Sequence, residues 1–263
     1  MWTRRSGTQS VERGFKLLDL IAEEPRTQKQ LVETTGLTRP TVARLLSVLE
    51  ANRMITRDRS GLYRLGTRPL ELAARWHSEA RWPELMEPYL QRLVGAFGET
   101  AYLCIRDGLT SLCVAGLESP RAVRCSLRIG ARTALHAGGL NKTLLASAPQ
   151  AVVDAVSSRP LERFTANTIM DKQRLLSELE VIRNNGYGQS EGEMDEGVRS
   201  IGAPLRSATG EVVAAIGVAV PSIRLNDAEV PVVAAEIIET AAEASSTLGF
   251  SVDTDGANVL GTF

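Results

Sequence analysis

The stretch GLTRPTVARLLSVLE, residues 36–50, decides the fold of the N-terminal part of this chain. Thr38 is placed to cap a helix whose first turn contains Pro40, where a missing N–H costs little. Four apolar residues then recur at the spacing i, i+3, i+4 and i+7, which puts them on one face and predicts the buried side of the helix. They are Val42, Leu45, Leu46 and Leu49.

The opposite side of this helix carries hydrogen-bonding and positively charged groups. Arg44 and Ser47 point away from the apolar stripe, and Thr41 lies at its border. Arginine can form two hydrogen bonds to guanine, and serine or threonine can reach bases or phosphates. The pattern favours a helix that enters the major groove of DNA, with a solvated polar face as the alternative. The candidate DNA-reading residues are Thr38, Arg39, Pro40, Thr41, Arg44 and Ser47.

A first helix is predicted upstream, beginning at Val11 with Ser10 as its N-terminal cap. Four apolar residues recur at helical spacing and predict the buried stripe of this helix. They are Val11, Phe15, Leu18 and Ala22. Pro25 ends the pattern, so we expect the chain to turn there.

A second, shorter helix is predicted between the first and the third. Thr27 and Gln30 have the spacing of a capping box at its start, and Gly36 after Thr35 suits a C-terminal cap. A short helix, a turn of about three residues and a helix with a basic face form the helix-turn-helix pattern.

A basic hairpin is predicted directly after these helices. Met54–Arg57 and Leu62–Leu65 suit two strands, and Asp58–Gly61 suits the turn between them. Three helices followed by a hairpin are typical of a winged helix-turn-helix. Arginines on such a wing can hold phosphate oxygens or enter the minor groove. The candidate wing contacts to DNA are Arg57, Arg59 and Arg64, with Arg53 beside them.

The charge distribution separates the two parts of the chain. Residues 1–66 hold 12 Lys and Arg against 7 Asp and Glu, whereas the remaining residues hold 18 against 24. A positively charged end beside a negatively charged remainder favours a nucleic-acid-binding domain at the N-terminus.

These N-terminal residues resemble the IclR (isocitrate-lyase-regulator) family of bacterial transcriptional regulators. The similar runs are residues 10–22, 36–50 and 61–66, and the likeness continues to about Gly249. The resemblance implies a winged helix-turn-helix DNA-binding domain over 1–66 and a linker helix over 67–80 that helps to pair two copies. It also implies a GAF-like effector-binding domain over 81–250. Residues 251–263 are polar and predict a flexible tail.

The resemblance further implies a homodimer or homotetramer on a palindromic operator of double-stranded DNA. Half-sites would lie about one helical turn, or a multiple of it, apart. Repression is the commoner outcome in such families, so we expect a repressor whose operator binding responds to a small organic effector.

Beyond Pro83 the sequence alternates helices and strands, which predicts an α+β domain with a mostly antiparallel sheet. Trp82 and Pro83, with Arg81, are expected to break the chain between linker and second domain. The predicted helices cover about 84–97, 171–185 and 232–248, and one more begins near 139. The predicted strands cover about 100–106, 111–116, 123–129, 198–205 and 211–220.

Local patterns that suggest an enzyme lack the partners that catalysis needs. Gly188–Gly192 matches G-x-S-x-G, but the hydrolase fold needs a histidine after the serine, and His77 and His136 both precede it. Gly138–Thr143 resembles a phosphate loop, but Asn141 stands where glycine should precede the lysine. We therefore expect no catalytic residues, no metal site and no cofactor. An enzyme with an N-terminal oligomerisation module stays the alternative.

The effector site is predicted from the glycine-rich segment and from the resemblance. Gly138, Gly139 and Leu140 lead into a helix whose first N–H groups can hold an anion such as a carboxylate. In the family, Asp, Cys and two Ser side chains hold a small organic acid. By position these fall at Ser190, Ser200, Gly217 and Ala219.

This chain departs from the family pattern at all four positions, and Gly217 and Ala219 carry no hydrogen-bond donor on the side chain. Each lost hydrogen bond to a charged group is worth about 1.5–3 kcal/mol. The smaller residues are also expected to leave more room. We expect an effector that is larger or less acidic than a two- or three-carbon acid, although a carboxylic acid stays open.

Cysteine usage and the lack of apolar runs predict a cytoplasmic protein. Cys104, Cys113 and Cys125 form no C-x-x-C pair and are interpreted as ordinary strand residues, with redox sensing as the alternative. No run reaches the roughly 18 apolar residues of a membrane span, and the N-terminus lacks the core of a signal peptide. No membrane partner is expected.

Overall fold

The computed structural model describes residues 6–80 and 82–250 of the chain. The chain divides into two compact units, Met1–Arg81 and Trp82–Phe263, each with its own hydrophobic core. The predicted tail, 251–263, and Arg81 lie outside the described residues. No helix in the described ranges is both long and apolar enough to cross a membrane.

The first unit contains the predicted three helices and hairpin. In chain order its elements are α1 (Ser6–Glu23), β1 (Arg26–Thr27), α2 (Gln28–Thr35), α3 (Arg39–Ala51), β2 (Ile55–Arg57), β3 (Leu62–Leu65) and α4 (Arg68–Ala80). The strands form an antiparallel sheet of order β1-β3-β2. Strand β1 was not predicted, since two residues are too short for a periodic signal. The predicted winged helix-turn-helix is confirmed.

The predicted stripe of the first helix is wrong. The helix begins at Ser6, so Ser10 lies inside it rather than at its cap. Phe15 is 59% exposed and Val11 58% exposed, whereas Leu17 and Ile21 are buried. Apolar residues occur on more than one side of this helix, and its packing against α3 and β3 selects the Leu17 side. Periodicity alone could not choose between the two sides.

The caps of α2 are confirmed in detail. The backbone N–H of Gln30 donates to Thr27 Oγ1, and the backbone N–H of Thr27 donates to the Gln30 side-chain oxygen at 2.8 Å. Gly36 ends the helix with φ 66°, a left-handed conformation that favours glycine. Thr38 also occupies an N-cap position, but its hydroxyl bonds Thr41 Oγ1 at 2.9 Å and makes no cap to the backbone.

The described part of the second unit is built on an antiparallel sheet of order β6-β5-β4-β9-β8-β7. Its elements are α5 (Trp82–Phe97), β4 (Thr100–Asp107), β5 (Thr110–Leu117), β6 (Arg132–Ala134), α6 (Gly139–Ala146), α7 (Gln150–Ser157), α8 (Lys172–Asn185), β7 (Gly188–Glu191), β8 (Val198–Arg206), β9 (Val212–Pro221) and α9 (Val230–Thr247). The predicted α+β class is confirmed.

Helices cover both faces of this sheet. Side chains of successive strand residues point to opposite faces, so one strand contributes residues to two separate cores. Leu103 and Ile216 pack with α5 and α9 in one core. Tyr102 and Ala215 pack with α6, α7 and α8 in the other. The helix predicted over 232–248 is present as α9, and Ile237, Ala241 and Ala244 on one of its sides are buried.

One prediction for this unit is wrong. Residues 123–129 form no strand. The hydroxyl of Tyr102 and that of Thr100 bond the backbone of this segment at Cys125, so side chains rather than a neighbouring strand hold it. The helices divide at the predicted place, since α4 ends at Ala80 and α5 begins at Trp82, and the two compact units separate there. Helix α7 and strands β6 and β7 were not predicted.

The caps of α2 and α3 provide a matched test of local stability. We expect Thr27→Ala to destabilise α2 by about 1 kcal/mol, because it removes a side-chain cap. Thr38→Ala should change the stability of α3 by only a few tenths of a kcal/mol, because Thr38 makes no such bond. Hydrogen exchange of the amides in α2 and α3, followed by mass spectrometry, measures both. Equal acceleration in the two variants would contradict the prediction.

Candidate functional site

The polar residues predicted on the third helix lie together on its exposed side. Val42 and Leu46 face the core, while Arg39 and Arg44 are exposed and have no ion-pair partner among the described residues. Thr41 is half-buried. The Gln28 side chain donates to the backbone oxygen of Arg39 at 3.3 Å, which ties α2 to the start of α3. The remaining predicted residues on this side, all exposed, are Thr38, Pro40 and Ser47.

The three wing arginines are exposed but differ in their partners. Arg57 lies over the ring of Tyr63 at 5.5 Å, and Arg64 Nε lies 3.2 Å from Asp58 Oδ2. Arg59 stands at the turn without an ion-pair partner in the described part of the chain. Of the three wing arginines, Arg57 and Arg59 therefore have no ion-pair partner in the described part of the chain, whereas Arg64 has one.

Asp58 organises the turn of the wing. Its carboxylate accepts hydrogen bonds from Ser60 Oγ at 2.5 Å, from the Ser60 N–H at 2.9 Å and from the Leu62 N–H at 3.0 Å. These bonds, led by that from the Ser60 side chain and joined by Arg64, lower the pKa of Asp58 to about 2. Gly61 completes the turn with φ 85°.

The second unit contains a cavity of about 440 Å³ beside the N-terminal end of α6. One wall is the sheet, another is the start of α6, and two segments outside the sheet, 118–131 and 192–197, complete it. The lining residues are Tyr102, Cys104, Val123, Arg124, Cys125, Ser126, Leu127, Thr133, Gly138, Leu140, Asn141, Ser190, Met194, Asp195, Gly197, Val198, Ser200, Ala219 and Pro221.

The structure brings most of the predicted effector residues to this cavity. Gly138, Leu140, Ser190, Ser200 and Ala219 line it, whereas the other two predicted residues do not. Those two are Gly139 and Gly217.

The N–H groups of the glycine pair are already hydrogen-bonded within the protein. The Gly139 N–H donates to Ser200 Oγ at 2.8 Å, and Ser200 Oγ lies 2.8 Å from Ser190 Oγ. The Gly138 N–H donates to Glu193 Oε2 at 2.9 Å. The N–H groups of Gly138 and Gly139 are therefore not free to hold an anion, because side chains of the same unit satisfy them.

A buried ion-pair cluster lies behind this glycine pair. Lys142 is 1% exposed, and its Nζ lies 2.5 Å from Glu193 Oε1 and 2.9 Å from Glu178 Oε1. Glu193 therefore joins the lysine of α6 to the Gly138 N–H through its two oxygens. Sequence reasoning missed both residues. The available signal was a lysine in a helix that ends in the apolar run Leu144–Ala146.

The expectation that Gly217 widens the ligand site is wrong. A Cβ at this position would lie 2.0 Å from the Ile201 carbonyl oxygen and 2.6 Å from Gly202 Cα. Gly217 therefore permits a close approach of β9 to β8. Of the two small residues, Ala219 alone lines the cavity.

Tyr102 and Arg124 were also missed, and both act on the cavity wall. The Tyr102 hydroxyl accepts from the Leu127 N–H at 2.7 Å and donates to the Cys125 carbonyl at 3.2 Å, and burial raises the pKa of Tyr102 to about 12. The Arg124 guanidinium is bonded to Glu118 at 2.8 Å. The positive charge nearest the cavity is therefore already compensated.

Ser190 does not stand at a strand-to-helix turn. It lies on β7, which leads through residues 192–197 to β8. His136 is buried, and its Nε2 lies 2.9 Å from the Glu162 carbonyl oxygen. Within the described residues, no group of three or more His, Cys, Asp and Glu side chains is placed to hold a metal ion.

The role of Gly217 can be tested against a second glycine. We expect Gly217→Ala to destabilise the second unit by about 1–3 kcal/mol or more, because the methyl group has no space. Gly95→Ala on the exposed side of α5 meets open space and should stabilise by about 0.5–1 kcal/mol. Thermal unfolding midpoints measure both changes. A Gly217→Ala midpoint equal to that of the unsubstituted protein would contradict the packing argument.

Family models match both units of the chain. The model described as the IclR helix-turn-helix domain matches residues 10–59, and that described as Bacterial transcriptional regulator IclR C-terminal matches residues 79–246. The HTH-type transcriptional regulator BhcR of Paracoccus denitrificans is 32% identical over 242 residues, which cover 91% of this chain and 87% of BhcR. The HTH-type transcriptional repressor AllR of Escherichia coli is 29% identical over 249 residues, which cover 93% of this chain and 92% of AllR.

A solved structure shares the fold. The crystal structure of an IclR homolog complexed with 4-hydroxybenzoate, from Microbacterium hydrocarbonoxydans, is similar with a TM-score of 0.81 at 24% identity. The similarity covers 91% of this chain and 98% of that one.

Proposed function

Because this chain belongs to the IclR family of bacterial transcriptional regulators, we propose that it is a repressor whose operator affinity changes when a small organic molecule fills the cavity of its second unit. The observation that carries the DNA-binding part is the exposed side of α3, where Arg39 and Arg44 have no ion-pair partner among the described residues. The family's activity makes the chain a DNA-binding transcriptional regulator.

In this proposal the exposed side of α3 enters the major groove. Arg44 reads a base edge, and Thr41 and Ser47 contact bases or phosphates. The wing holds the DNA backbone or minor groove through Arg57, Arg59 and Arg64, as arginines on projecting hairpins do. Arg57 and Arg59 contribute to the salt dependence more than Arg64, because Asp58 already compensates the charge of Arg64.

We assign 1–66 to the DNA-binding domain, 67–80 to a linker helix and 81–250 to the effector domain. In α4, Leu70 is 73% exposed and Leu72 45% exposed. Exposed leucines on a helix suit contact with a second copy of the chain, which supports a homodimer or a tetramer built from it. A two-fold symmetric dimer requires a palindromic operator.

The proposed effector is larger or less acidic than a two- or three-carbon acid. Glu193 and Ser200 occupy the N–H groups of the glycine pair, and Glu118 compensates Arg124. Ala219 presents no donor to the cavity. A carboxylate would therefore not find the donors of the glycine pair free, whereas a cavity of about 440 Å³ accommodates a mostly apolar ligand of aromatic size.

The reading role of Arg44 predicts a loss of affinity. We expect Arg44→Ala to weaken binding to the operator by about 1–3 kcal/mol, because a side chain that pairs with a base edge is removed. Fluorescence anisotropy with operator DNA measures the change. Arg163→Ala, an exposed arginine of the second unit, is the control and should bind like the unsubstituted protein. Unchanged affinity in folded Arg44→Ala would remove Arg44 from the DNA-reading side.

The proposed class of effector, larger or less acidic than a two- or three-carbon acid, predicts which compounds raise the unfolding temperature of the protein. Matched pairs are pyruvate with pyruvamide, lactate with lactamide, and 4-hydroxybenzoate with 4-hydroxybenzamide. At a hundredfold excess over the dissociation constant a ligand stabilises by about 2.7 kcal/mol. We expect the aromatic or neutral compounds to shift the midpoint and the small acids not to. Ala219→Leu, which narrows the cavity, should reduce the shift. A shift from the small acids alone would overturn the proposed ligand class.

A further inference from the structure

Two cysteines face each other across neighbouring strands of the sheet. Cys104 on β4 is the register partner of Cys113 on β5, and a β-bulge lies directly beside the pair. Both cysteines are free thiols and both are buried, at 2% and 1% exposure.

The backbone places this pair at the closer of the two antiparallel spacings. The Cys113 N–H donates to the Ala131 carbonyl at 3.0 Å, and its carbonyl accepts from the Gly130 N–H at 2.7 Å. Both backbone groups of Cys113 therefore point away from β4, so Cys104 and Cys113 are a non-hydrogen-bonded pair. Cα atoms in such pairs lie about 4.5 Å apart, within the span of about 4.4–6.8 Å that a disulfide bridges.

The two thiols shift each other's pKa in opposite directions. The neighbouring Cys113 side chain, together with burial, raises the pKa of Cys104, and the neighbouring Cys104 side chain lowers the pKa of Cys113. The thiol with the lowered pKa is the better attacking group in exchange and condensation reactions at neutral pH.

One member of the pair is accessible from the cavity. Cys104 lines the cavity of about 440 Å³, and Cys113 does not. A water-sized oxidant that enters the cavity therefore meets the Cys104 sulfur first, and the Cys113 sulfur lies behind it. Cys125 also lines the cavity, but it lies outside the strands and is not paired with Cys104 or Cys113 across the sheet.

We propose that Cys104 and Cys113 form an oxidisable dithiol, which a hydroperoxide converts to a cross-strand disulfide in the cavity wall. The peroxide transfers one oxygen to the Cys104 sulfur, which gives a sulfenic acid and releases water or an alcohol. The Cys113 sulfur then displaces the hydroxyl group from the Cys104 sulfur, and the S–S bond forms. The proton of Cys113 leaves with that hydroxyl as water, so two thiols lose two hydrogens and two electrons pass to the peroxide.

The test treats the full, folded chain with hydrogen peroxide, blocks the remaining thiols by alkylation and maps the peptides without reduction. The expected product is a Cys104–Cys113 linked peptide pair, with Cys125 recovered alkylated. Dithiothreitol should restore both thiols. Protein unfolded before oxidation is the comparison, since its three cysteines should link without preference.

Single substitutions separate the pair from the third cysteine. Cys125→Ser should form the same linked peptides in the same yield, whereas Cys104→Ser and Cys113→Ser should form none. A link between Cys104 and Cys125 in the folded chain would overturn the proposal. So would full recovery of alkylated Cys104 under conditions that cross-link the unfolded chain, or a sulfinic acid on Cys104 without any disulfide. The mapping of the unsubstituted protein decides between these outcomes even if a variant fails to fold.

Discussion

The second unit depends on one steric constraint, the approach of α6 to β7 and β8 at backbone contact distance. A Cβ at Gly139 would lie 2.4 Å from the Ser200 carbonyl oxygen, and one at Gly188 would lie 2.6 Å from the Gly139 carbonyl oxygen. A Cβ at Gly202 would lie 2.9 Å from the backbone of Leu140. Three glycines on three elements therefore allow a contact that no other residue permits. As a result all eight residues of α6 are buried, whatever their polarity.

Burial of a whole helix requires a partner for each of its polar side chains. Asn141 donates to the Ala137 carbonyl and Thr143 to the Gly202 carbonyl. Lys142 requires negatively charged partners, which are Glu178 on α8 and Glu193 in the segment that leads into the cavity wall. Removing one partner of a buried pair costs about 3–5 kcal/mol, because the other charge stays buried without compensation. The close approach of α6 thereby fixes the position of residues 192–197 as well.

Local signals in the sequence predicted what local interactions determine. The capping box of Thr27 and the wing turn at Asp58 need only neighbours in the chain, and both are present. The side of α1 that is buried, the state of residues 123–129 and the role of Gly217 depend on elements distant in sequence. A glycine at position 217 is compatible both with a lost side-chain donor and with a close contact between strands. The resemblance to the family could not distinguish these two explanations. Only the 2.0 Å distance at Gly217 does.

The contact between α6 and the sheet limits where a ligand can alter the second unit. The sheet and α6 are in backbone contact and have no space to move toward each other. The cavity walls outside them are 118–131, which Tyr102 holds through two hydrogen bonds, and 192–197, which Lys142 holds through Glu193. A ligand shifts an equilibrium only by the difference in its interaction with the two states. We expect that difference to arise from ligand contacts with 118–131 and 192–197, because these are the cavity walls outside the sheet and α6.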